Sequence, residues 1–69
     1  MKTAAQKMNE KIAAQSTETL IEIVRAMNLD TTSEGILVSS KVTGELEARL
    51  PEDAFLALML ELEAELDAA

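Results

Sequence analysis

Apolar residues recur along this chain at intervals of three and four, the period of an amphipathic helix. Leu20, Ile23, Val24 and Met27 make one stripe, flanked by Ile21, and predict a helix over residues 17–28. Val38, Val42, Leu46 and Leu50 recur every four residues and predict a second over 32–49. Ile36, Leu37, Val38, Val42 and Thr43 also favour extended structure, but an alternating pattern would put Ser40 and Gly44 on the same side as Val38 and Val42. The helical period therefore decides. Phe55, Leu58, Met59, Leu62 and Leu66 fall on one face of a third helix over 51–66, and Ala54 to Leu60 is apolar throughout, so this helix is greasy on more than one side. Ahead of the three, Ala4, Met8 and Ile12 predict a helix within residues 3–15 whose narrow stripe is marginal alone and must dock or fray.

The boundaries follow from residue chemistry. Ser16 can cap the helix beginning at Thr17, with Glu18 in its first turn, and Asn28 suits a left-handed end. Thr31 and Glu34 have capping-box spacing. Pro51 ends one helix at Leu50 and suits the first position of the next, where Glu52 and Asp53 meet the positive end of the macrodipole. Gly35 and Gly44 stand inside a helix at about 1 kcal/mol each against Ala, which asks for a packing reason.

The expected fold is thus all-α, a small bundle of three principal helices with an additional basic N-terminal helix. Residues 1–15 form the basic segment and 16–69 the bundle domain. Leu20, Val24, Met27, Val38, Val42, Leu46, Phe55, Met59 and Leu62 are the expected core. Sixty-nine residues bury only about 60% of their unfolded surface, so something should supplement that core.

Charge changes the picture. Residues 1–15 carry Lys2, Lys7 and Lys11 against Glu10, a net of +2, whereas residues 16–69 carry a net of −9. A body of that sign repels phosphate backbones, so direct nucleic-acid binding is not expected. The carboxylates either keep a greasy domain soluble or dock on a basic partner, and Glu61, Glu63, Glu65 and Asp67 are the candidate acidic surface. His, Cys, Tyr and Trp are absent, which removes the usual proton carrier, nucleophile and transition-metal ligands. Neither catalysis nor a cofactor is expected. No apolar run reaches membrane-span length, so the chain is expected to be cytoplasmic and off the membrane.

The intrachain core leaves over Leu37, Gly44 and Ala48 on one helix and Leu56, Ala57 and Leu60 on the next. A monomer would expose these six positions as an apolar patch, and a homodimer would bury them. The competing arrangement folds the basic N-terminal helix over them, with Lys7 and Lys11 reaching the acids of Glu61 to Asp67.

Two stretches carry a resemblance. STETLIEI at Ser16 to Ile23, followed by LEARLPEDAFLALMLELEAEL at Leu46 to Leu66, resembles small uncharacterised helical proteins of phages and prophages. No functional residues come with that likeness. It implies an accessory protein of a mobile element, a class in which short acidic proteins bind and block host machinery. The function expected is therefore an acidic protein–protein interaction module that inhibits or sequesters a basic host protein. The alternative is a self-associating structural or adaptor protein.

Overall fold

The computed structural model describes residues 1–68. They form four helices, α1 (Ala4–Ala14), α2 (Thr17–Met27), α3 (Ser33–Arg49) and α4 (Glu52–Ala68), with no strand among the described residues. The chain is all-α.

Each helix start has a local cause. Thr3 caps α1 in a reciprocal box: its hydroxyl accepts from the Gln6 N–H at 3.1 Å, and Gln6 Oε1 accepts from the Thr3 N–H at 2.8 Å. Ser16 caps α2 by accepting from the Thr19 N–H at 3.1 Å. For α3 the cap is Thr32, one residue later than the Thr31 box expected from sequence, and its hydroxyl accepts from the Gly35 N–H at 3.0 Å. Asp30 causes the shift. Its Oδ1 accepts from both the N–H of Thr32 at 2.8 Å and the Thr32 hydroxyl at 2.7 Å, turning the chain before the helix begins. Asn28 is likewise corrected: it ends α2 in right-handed helical geometry, and no residue, glycine included, has a positive φ among the described residues. Leu50 is extended ahead of Pro51, which fixes the corner into α4.

Helix α3 is the centre, touched by each of the other three and most extensively by α2. Leu20 and Val24 of α2 meet Val42 and Leu46 of α3 in the fully buried part of the core. Ile12 of α1 and Leu58 and Leu62 of α4 complete it, with Met8, Ile21, Ile23, Val38, Leu50, Phe55 and Met59 packed half-buried around them. The expected core is corrected in two places. Ile12 and Leu58 belong to it, whereas Val38, Phe55 and Met59 are its rim and Met27 is only half-buried. On α4 the buried side centres on Leu58 and Leu62, one helical turn apart, which turns Phe55 and Met59 to its edges.

The assembled helices make a flattened body, 43 × 28 × 15 Å. Its radius of gyration is 12.4 Å, against about 11 Å for a compact chain of this length. Its accessible surface is 4919 Å², where a folded monomer of 7.5 kDa exposes about 4,250 Å². The surplus surface includes Ile36 and Leu37 on α3 and Leu56, Leu60 and Leu66 on α4, all about half exposed or more.

Candidate interaction surface

The outward face of α4 is apolar. Leu56 and Leu60, one turn apart, are 53% and 66% exposed, and Ala57 and Ala64 beside them are exposed as well. These residues lie opposite Leu58 and Leu62, so the helix that anchors to the core on one side presents a second greasy stripe on the other. Ala64 extends the stripe beyond the positions expected from sequence.

Leu37, Gly44 and Ala48 all lie on the outward face of α3, opposite Val42 and Leu46, and all are exposed. The six candidate positions thus form one stripe on each of two helices, each opposite that helix's own buried side. Open space surrounds Gly44, since a Cβ there would meet nothing within 4 Å. Gly35 differs. It is buried, and a Cβ would come within 2.7 Å of Asp30 Oδ1, the oxygen that holds Thr32. The packing reason sought for both glycines exists for Gly35 alone.

The N-terminal helix does not cover either stripe. It docks on α3 through Ile12 and Met8 and leaves Leu37, Leu56 and Leu60 exposed. Nor do Lys7 and Lys11 reach the acidic end of α4; neither makes an ion pair among the described residues, while Lys2 pairs with Glu10 at 2.5 Å. What fixes α1 is Arg49 at the end of α3. Its guanidinium donates to the carbonyls of Gln15 at 2.7 Å, Ala13 at 3.0 Å and Ile12 at 3.5 Å, and its Nε is held by Glu45 at 2.8 Å. Those carbonyls end α1, where the macrodipole favours a cation; the Ile12 carbonyl also accepts from the Gln15 N–H at 3.1 Å.

The four acids expected to act as one surface are divided. Glu61 and Glu65 turn toward α2, where Arg25 donates to Glu61 Oε2 at 2.6 Å and Glu65 Oε1 at 3.3 Å. The hydrogen bond from Arg25 to Glu61, with the field of both carboxylates, holds the guanidinium above its ordinary pKa, so it stays charged at any working pH. Next to this clamp, Asn28 Nδ2 donates to the Leu62 carbonyl at 2.8 Å. Glu63 and Asp67 fall on the opposite side, beside Leu56 and Leu60. Arg25, on the exposed side of α2, is therefore half of the polar seat of α4.

Among the described residues there is no cavity, no group of three or more Asp or Glu placed to hold a metal ion, and no helix long and apolar enough to cross a membrane. No known protein family, curated protein or solved structure matches the chain.

Proposed function

We propose that this protein is an acidic protein–protein interaction module, a small helical bundle whose working surface is the outward stripe of α4. One observation carries the reading: Leu56 and Leu60 are more than half exposed on a helix already anchored by its other side. A soluble chain that keeps two leucines, two alanines and surplus surface open to water gains most by covering them with another molecule. The resemblance to phage and prophage proteins gives that module a setting, a cytoplasmic accessory protein that binds and blocks a host protein. Affinity purification from host cells, with wild type beside Leu60→Glu, tests it. A stoichiometric second protein retained by wild type and lost with Leu60→Glu is the expected result. Equal recovery by both forms would remove α4 as the working surface.

One feature favours self-association as a second reading. Gly44 has open space above it on α3, with exposed Leu37 and Ala48 beside it, a surface on which a second copy's helix could approach closely. Sedimentation of wild type and Gly44→Leu at tens of micromolar separates the two. A homodimer through α3 is split by the bulky side chain, whereas a monomer is indifferent to it.

A further inference from the structure

We infer that the α4 stripe receives a basic amphipathic helix of a different protein, not a second copy of this chain. The inference rests on the reading of α4 as an interaction surface and names its occupant from charge. Six carboxylates and no basic residue lie on α4. Glu61 and Glu65 share Arg25 on the inner side, and of the other four carboxylates Glu63 lies on one flank of the stripe, Asp53 and Asp67 at its two ends, and Glu52 in the first turn.

A second copy of α4 laid antiparallel on the first would bring Asp53 of each chain against Asp67 of the other. It would also enclose both Glu63 carboxylates at an apolar seam. Like charges in that arrangement oppose association. The rest of the chain offers no better occupant. Of its six basic residues, Arg25 and Arg49 hold helices together, Lys2 pairs with Glu10, and Lys41 donates to Asn9 at 3.5 Å. Lys7 and Lys11 remain, but they stand on α1, whose Met8 and Ile12 already face the core. Lys41 stands on the α3 face beside Leu37, but among the described residues no other helix places two exposed leucines one turn apart with cations beside them.

The complementary surface is well defined. From Asp53 to Asp67 the stripe runs about 21 Å, the length of roughly fourteen helical residues. Ala57 and Ala64 are small enough to let a second helix come near, with Leu56 and Leu60 entering between its side chains. The matching helix carries apolar residues at i, i+4 and i+7 or i+8, with Lys or Arg at both ends and on one flank.

Two labelled fourteen-residue peptides with the same Leu/Ala stripe test this against the full chain by fluorescence anisotropy, one flanked by lysines and the other by glutamates. The expected result is binding of the lysine peptide alone, weakened roughly tenfold by the combined change Asp53→Asn, Glu63→Gln and Asp67→Asn, and weakened by added salt. Leu60→Gln should abolish it. That side chain is solvated, so circular dichroism should show helicity unchanged and separate lost binding from lost folding. Binding of both peptides alike, abolished by Leu60→Gln, would overturn the basic occupant while leaving the interaction surface intact. Binding that ignores Leu60→Gln would remove the surface as well. Failure of both peptides, or a wild-type dimer in sedimentation that Leu60→Glu splits, would overturn the inference.

Discussion

The α2–α3 contact and the seat of α4 are built from different materials. Between α2 and α3 the joint is apolar and closed, with Leu20 and Leu46 fully excluded from water. The seat of α4 is thinner. Leu58 and Leu62 each retain 6% exposure, and a charged clamp of Arg25 with Glu61 and Glu65, together with the Asn28 bond to the Leu62 carbonyl, closes the rest. Apolar contact is insensitive to salt, whereas exposed ion pairs are screened. The difference implies a graded molecule, in which α2 and α3 set the global stability and α4 is the first element to open. It also places the exposed stripe on the element held least.

The largest expected effect tests that grading directly. Leu46→Ala removes a fully buried side chain at the centre and should destabilise the protein by about 2–5 kcal/mol, a large share of the stability of a small domain. Leu62→Ala, in the thinner seat, should fall at the low end of the same range, because neighbours at a 6% exposed site can relax or admit water. Urea unfolding of the two variants compares them. Equal losses would mean that α4 is as integral as α3, and the comparison would fail.

Arg49→Ala comes next, at about 1 kcal/mol, the effect of removing a charged donor from the exposed carbonyls of Gln15 and Ala13 and the part-buried one of Ile12. It should free α1 without loosening α4, which hydrogen exchange of the α1 and α4 amides can show. Lysine should rescue it only in part, since one ammonium cannot span the carbonyls of Ile12, Ala13 and Gln15 while holding Glu45.

The stripes and corners were legible because they are local. Ser16 as a cap, the break at Leu50–Pro51 and the i, i+4 spacing of Val42 and Leu46 each depend on residues within one turn. The box of Thr3 with Gln6 has the same T-x-x-Q signature and could have been read in the same way. Arg25 and Arg49 could not. Their partners on other helices lie more than thirty residues away, and an arginine on a helix surface looks the same in sequence whether it is solvated or holds two helices together. Dividing Glu61 and Glu65 from Glu63 and Asp67 requires knowing which side of α4 faces α2, and a helix apolar on both sides does not reveal it. The six candidate interface positions were readable as surplus apolar residues, but only their exposure in the folded chain separates them from core.

The two glycines sharpen the comparison with a smaller effect and opposite signs. Gly44→Ala should stabilise the protein by about 0.5–1 kcal/mol, because the position is helical, has no positive φ and offers open space. Gly35→Ala has the same gain in propensity, but its methyl would displace the Asp30 carboxylate from Thr32. Its melting temperature should fall below that of wild type. If both variants gained stability, the Asp30 turn would contribute nothing to the α2–α3 side of the molecule.

Acid should act on that turn with the smallest effect of the set and a definite sign. The Thr32 hydroxyl, and then the Thr32 backbone N–H, donate to the Asp30 carboxylate and hold its pKa below the ordinary value of 3.8. A group whose pKa is lower folded than unfolded binds protons more weakly in the native state. The stability it contributes is therefore whole above the ordinary pKa and is lost as pH falls through the depressed one. The chain carries twelve other Asp and Glu side chains, so a single acid denaturation curve cannot isolate it. Subtracting Asp30→Ala does. The wild-type advantage in urea midpoint should be constant from pH 7 to about pH 5, shrink through the acid limb, and drop to the residual bonding of a neutral carboxyl. An advantage that persisted unchanged in strong acid would assign the turn to the geometry of the Asp30 side chain instead of its charge. The α2–α3 corner would then be as independent of charge as the leucine contact it adjoins, and among the helix junctions only those made by Arg25 and Arg49 would depend on charge.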